Sequence, residues 1–118
     1  MAVTGIDATY YTVSDIDATT KFYTELLGAA PETQMPGRLS EWTFADGTSF
    51  GLYGMEGGGE TTSGSVMFAV EDVAKAVADG KGRGVTFHEG GEVTDTPVCH
   101  MAFGEDPEGN QFILHHRK

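Results

Sequence analysis

The sequence predicts an α+β fold built from one small unit used twice. Three observations point to it. Near the C-terminus, Asp106-Pro-Glu-Gly-Asn110 is a turn that leads into the strand-like run Gln111-Phe-Ile-Leu-His115. Pro107 presets φ early in that turn, Gly109 supplies a conformation other residues resist, and Asp106 can accept bonds from its own downstream backbone. Upstream, Phe44-Ala-Asp-Gly-Thr-Ser-Phe-Gly-Leu-Tyr53 repeats the order aromatic, turn, strand, and the spacing from Gly47 to Leu52 equals that from Gly109 to Leu114. Finally, Tyr11-Thr-Val13-Ser-Asp15-Ile16 aligns with Phe68-Ala-Val70-Glu-Asp72-Val73 at an offset of 57, while the two turns lie at an offset of 62. Each copy therefore reads strand, helix, variable middle and hairpin. Two copies are too few for a solenoid, so the units are expected to bury a shared face in one domain over residues 1–118. The modules run over 1–55 and 65–118, with a join at 56–64.

In the first module, Thr9, Tyr11 and Val13 share one face at period two, and Ala8, Tyr10 and Thr12 share the other. Ser14 or Asp15 caps a helix to about Leu27, with Phe22/Leu26 and Tyr23/Leu27 as i,i+4 pairs and Gly28 as its stop. Residues 29–39 hold Pro31, Pro36 and Gly37 and read as irregular. Residues 41–45 and 48–54 form a hairpin around Asp46-Gly47. The Gly-rich join has no Lys or Ser/Thr in P-loop register and acidic surroundings, so it is no phosphate cradle. The second module opens with a strand over 65–70. Asp72 then caps a helix through Val73, Ala76 and Val77, weakened at its end by Gly80, Gly82 and Gly84. Strands are expected over 85–88 and 98–103, around a Gly/Glu-rich turn, and over 111–115.

Bulk properties narrow the function. A chain of 118 residues buries enough surface for a core without metals or disulfides. Net charge is −11 with only seven Lys and Arg, which argues against nucleic acid and anionic membranes as partners. The acidity serves solubility or reflects a salty or hot source; a cationic or polyamine-like ligand is the sharper alternative. Cys99 is the only cysteine, which leaves no intramolecular disulfide and no cysteine metal cluster. No apolar run approaches the ~18 residues of a membrane span. The N-terminus lacks the blocks of a signal peptide, so a cytoplasmic location is expected.

Taken in order, Val13-Ser-Asp15 leading into Phe22-Tyr23-x-x-Leu26-Leu27-Gly28, then Val70-Glu-Asp72-Val73, then Asp106-Pro-Glu-Gly-Asn110 cover nearly the whole chain. This set resembles the vicinal oxygen chelate superfamily, also called glyoxalase/bleomycin-resistance/dioxygenase proteins. The resemblance implies two βαβββ modules paired into a curved, partly open β-cup, with helices outside and a ligand cavity on the concave face. It also implies a homodimer. Metal enzymes of the superfamily take ligands from the first and last strand of each module, typically His or Gln on the first and Glu or His on the last. Here those positions are Ala8, Gly51, Ser65 and Ile113. None is a good donor for a divalent metal, which needs several His, Asp or Glu groups at close range. A register shifted by two would offer Tyr10, Tyr53, Met67, Gln111 or His115, still without a set of three. Metal-dependent glyoxalase, dioxygenase and thiol-transferase activities are therefore not expected, and no cofactor is. What remains resembles the metal-free branch, the drug-sequestering proteins of the bleomycin-resistance type tied to antibiotic resistance.

If the ligand-register positions face the cup, strand parity adds Tyr10 and Thr12 beside Ala8, and Ser49 and Tyr53 beside Gly51. It likewise adds Met67 beside Ser65, and Gln111 and His115 beside Ile113. Small residues at 8, 51 and 65 would then leave volume for a ligand. Trp42, the only tryptophan, is a candidate to stack a flat ligand, the alternative being a core or interface role. His115 and His116 are neighbours on a strand and must point apart. Of Cys99 and His100 one must face inward; His100 is a ligand-contact candidate and Cys99 a small buried hydrophobe. Glu41 and Glu105 have no evident partner. The function expected is a small-molecule binder for an apolar or aromatic ligand. The alternatives are a metal-independent enzyme using His100, His115, Tyr10 or Tyr53 as acid or base, a metal enzyme with displaced ligands, or a scaffold without a small ligand.

Overall fold

Each half of the chain folds in the order β-α-β-β-β. The computed structural model describes residues 6–54 and 65–118, so the join between the modules lies outside the described residues. The first module contains β1 (Ala8–Val13), α1 (Ile16–Leu27), β2 (Thr33–Met35), β3 (Leu39–Thr43) and β4 (Ser49–Gly54). The second contains β5 (Ser65–Ala69), α2 (Val73–Gly82), β6 (Thr94–Asp95), β7 (Cys99–Glu105) and β8 (Gln111–Arg117). Each module forms one four-stranded sheet, ordered β1-β4-β3-β2 and β5-β8-β7-β6. The first and last strands of each module are parallel neighbours; the other pairs are antiparallel.

The helices begin and end where local chemistry dictates. Asp15 accepts a bond from the Ala18 N–H at 3.1 Å, and Asp72 accepts one from Lys75 N–H at 3.0 Å, so both N-termini have a carboxylate cap. Gly28 closes α1 at φ 75°, in the left-handed region where a side chain is disfavoured, and its N–H bonds the Thr24 carbonyl at 2.9 Å.

Both sheets contribute the faces that carry their helices to a single core. Tyr11, Val13, Trp42, Phe50 and Leu52 come from the first sheet, and Phe68, Ala102, Phe112 and Leu114 from the second. Phe50 meets Phe68 edge-on with ring centroids 5.0 Å apart, and Phe22 of α1 lies 5.9 Å from Phe112. Polar contacts also cross between the modules. Tyr11 donates to the Gln111 carbonyl, Tyr23 donates to Asp106 Oδ2 at 2.8 Å, and Glu108 Oε1 accepts from both the N–H and the hydroxyl of Ser14 at 2.7 Å. With the helix-bearing faces joined in this way, the opposite face of each sheet points away from the shared core.

Two local expectations are corrected. Residues 33–35, expected to be irregular, form β2 against β3. A three-residue exposed edge strand has no periodicity to read, and pairing alone makes it a strand. Residues 85–88 are not a strand: only Phe87 bridges, to Gly104, and a 3₁₀ turn follows at His88–Gly91. Glu89, Gly90 and Gly91 there all have positive φ, which no strand accommodates. The short strand of that region is instead β6. Among the described residues no helix is long and apolar enough to cross a membrane.

Candidate functional site

Pairing registers decide which side chains share the open faces. On the first sheet, Ala8, Tyr10 and Thr12 stand opposite Ser49, Gly51 and Tyr53, and β3 adds Thr43, Glu41 and Leu39 in the same rows. On the second, Ser65, Met67 and Ala69 stand opposite Gln111, Ile113 and His115, and β7 adds Glu105, Phe103 and Met101. Apolar groups remain in solvent on both faces: Tyr10 is 39% exposed, Tyr53 43% and Met67 51%.

Tyr10 lies flat across the centre of the first face. A Cβ at Gly51 would sit 2.5 Å from its ring, so only glycine lets the ring fold down there. The hydroxyl then reaches across the β4 row and donates to Glu41 Oε2. The space at Gly51, expected to hold ligand, is thus taken by Tyr10, and Glu41, expected to have no partner, has one. Burial, then the bond to Glu41 and its charge, push the Tyr10 phenol up to about 12. Gly51→Val should displace the ring, break the bond and bring the Tyr10 phenol down toward its ordinary value of 10.0. NMR titration of ring-labelled tyrosine reads this; an unmoved Tyr10 would show that Gly51 does not set the geometry.

Two expected pocket residues lie elsewhere. Trp42 pairs with Phe50, not Gly51, and therefore faces the core at 2% exposure, its indole N–H donating to the Ala29 carbonyl at 2.8 Å. His100 pairs with His116 on the helix-bearing side of the second sheet, with its Nε2 3.4 Å from Asp95 Oδ1. Glu105, expected to be solvated without a partner, stands 3.5 Å from His88 Nε2. Cys99 is buried. The members of the open faces that sequence reasoning missed are Leu39, Glu41, Thr43, Ala69, Met101, Phe103 and Glu105. Hairpin arithmetic held the signal: a turn at Asp46-Gly47 that opposes 42 to 50 opposes 41 to 51, and the turn after Asp106 opposes 103 to 113.

The four positions that the resemblance assigns to metal ligands, Ala8, Gly51, Ser65 and Ile113, all fall on the open faces. Their methyl, hydrogen, hydroxymethyl and sec-butyl side chains do not fit a divalent metal. Among the described residues, no group of three or more His, Cys, Asp or Glu is arranged to hold one either.

A cleft of about 820 Å³ opens between the modules, bounded by the end of α1, by α2, by β5 and by the β3–β4 turn. Of the expected pocket residues only Ser49 and Met67 touch it. Its walls are mainly apolar, including Leu26, Leu27, Phe44, Val66 and Phe68. The two carboxylates on it are engaged, Asp46 by the Thr48 N–H and hydroxyl and Asp79 by Lys75 at 2.9 Å. Thr9, Thr48, Ser49 and Arg83 add polar groups to its rim.

Comparison with known proteins agrees with this architecture. A sequence model of the Glyoxalase/Bleomycin resistance protein/Dioxygenase superfamily matches residues 5–114. No protein of curated function matches the chain in sequence. Among solved structures, a glyoxalase/bleomycin resistance protein from Catenulispora acidiphila superposes with a TM-score of 0.78 at 18% identity, over 95% of this chain and 98% of that one. A lactoylglutathione lyase from Agrobacterium tumefaciens gives 0.79 at 17% identity, over 98% and 96%. An integron cassette protein from V. cholerae gives 0.77 at 24%, over 98% and 97%. At these identities the likeness is one of fold.

Proposed function

The chain belongs to the Glyoxalase/Bleomycin resistance protein/Dioxygenase superfamily, and on that footing we propose that it is a metal-independent small-molecule-binding protein acting as a homodimer. An apolar or aromatic ligand sits between the first-module face of one copy and the second-module face of the other. The observation that carries this reading is orientation. One core consumes the helix-bearing faces of both sheets, so the two faces with exposed Tyr10, Tyr53 and Met67 point outward. A single chain supplies two half-sites and closes neither. Contiguous exposed apolar groups on one face mark an interaction surface. A two-fold pair sets face one against face two twice and so encloses two equal pockets.

Sedimentation should give twice the chain mass of 12.5 kDa. A neutral flat fluorophore, the uncharged benzothiazole parent of thioflavin T, should bind with a stoichiometry of one per chain. Met67→Glu places a charge on an exposed strand position outside the core, and should yield a folded monomer that no longer binds the fluorophore. A wild-type monomer that binds it, or a dimer that does not, would contradict this assignment.

A further inference from the structure

We propose that the ligand is an amphipathic organic cation, its ammonium-type head on Glu41 between Tyr10 and Tyr53 and its apolar body against Met67, Ile113 and Phe103 of the other copy. This rests on the two-copy site above and adds the chemical class of what enters it. The duplication makes the two half-sites comparable position by position. Tyr10, Gly51 and Glu41 form one row across the first sheet, and Met67, Ile113 and Phe103 form the corresponding row across the second. One row presents a carboxylate and a phenol. Its counterpart presents the exposed Met67 and the half-buried Phe103 on either side of a buried Ile113, all carbon and sulfur. A molecule held between them meets an anionic aromatic surface on one side and an apolar one on the other.

The first face is built for a positive head. Tyr10 donates to one oxygen of Glu41, which holds the carboxylate upright on the sheet and leaves the other oxygen to accept. Tyr53 stands opposite Leu39, one row along from Glu41, and diagonal neighbours on a sheet lie within reach of long and aromatic side chains. A cation at Glu41 thus meets the carboxylate beside the Tyr10 hydroxyl, with the Tyr53 ring within diagonal reach. Among the described strand residues on this face, 8, 10, 12, 33, 35, 39, 41, 43, 49, 51 and 53, none is Lys or Arg, so no cation of its own sheet neutralises Glu41. The chain's net charge of −11 adds a long-range field that draws cations and repels anions.

The test uses the intact protein with thioflavin T, a flat cation, and its uncharged benzothiazole parent. Wild type should bind the cation roughly tenfold more tightly than the parent. Glu41→Gln should remove most of that preference, read as the ratio of the two affinities. Glu25→Gln, the same charge change on an exposed part of α1, should leave the preference intact. If Glu25→Gln erodes it as much as Glu41→Gln does, the selectivity is only the field of the whole chain and the head site is wrong. If wild type binds both probes equally, the cation assignment fails while the two-copy pocket stands. If neither probe binds, the pocket fails and the cation assignment with it.

Discussion

Replacing Trp42 by alanine is expected to cost about 3–5 kcal/mol of stability and to lower Tm by on the order of 15 °C. The indole stacks on Phe50 with ring centroids 5.9 Å apart and lies 6.3 Å from Tyr23, so its removal opens a void where β3, β4 and α1 meet. It also orphans the Ala29 carbonyl, which accepts the indole N–H just beyond the end of α1. Urea denaturation followed by circular dichroism measures the loss. Trp42→Phe keeps a ring against Phe50 and should retain binding of the neutral fluorophore at wild-type affinity. Trp42 emission should be blue and insensitive to acrylamide, and it should not respond to a ligand on the open face. A W42A protein that stays within about 1 kcal/mol of wild type but loses the ligand would return this residue to the pocket.

That misplacement shows where the sequence was legible and where it was not. Period two in β1 separates Tyr11 and Val13 from Tyr10 and Thr12, because one set faces a core and the other does not. The first helix announces itself through Asp15 and Gly28, whose roles are local. The duplicated turns place β4 and β8 and thereby the faces of Gly51 and Ile113. Parity in β3 and β7 is a different matter, since Glu41-Trp42 within β3 and Cys99-His100 at the start of β7 offer no alternation of their own. Only the pairing of 42 with 50 and of 100 with 116 sends Trp42 and His100 to the helix-bearing side. The two shortest strands, β2 and β6, exist only because a neighbour holds them. How the modules meet was illegible for a related reason: the contact of Tyr23 with Asp106 joins residues 83 positions apart.

That contact predicts the second large effect. Asp106→Ala should destabilise the protein by about 3 kcal/mol or more. The carboxylate is buried and fully used: Oδ1 accepts the N–H groups of Glu108 at 2.8 Å and Asn110 at 2.9 Å, and Oδ2 accepts the Tyr23 hydroxyl at 2.8 Å and the Asn110 amide at 3.2 Å. Its removal loosens the Asp106–Asn110 turn and strands a buried phenol in α1 of the other module. Tyr23→Phe should cost less, about 1.5–3 kcal/mol, and the double variant should fall short of the sum because both substitutions break one shared bond. Strict additivity of the two in urea denaturation would deny the coupling between modules. The phenol also makes a pH signature. Burial first, then the charge and hydrogen bond of Asp106, hold the Tyr23 pKa far above its ordinary 10.0. Above that ordinary value the unfolded chain loses this proton while the folded chain keeps it. The unfolded state then binds fewer protons, so stability is full below about pH 10 and declines as pH rises further. Tyr23→Phe removes this residue's share of the decline, so its stability should fall less steeply than that of wild type on the alkaline side. An identical alkaline slope in the two proteins would mean that the folded chain does not hold the Tyr23 hydroxyl protonated.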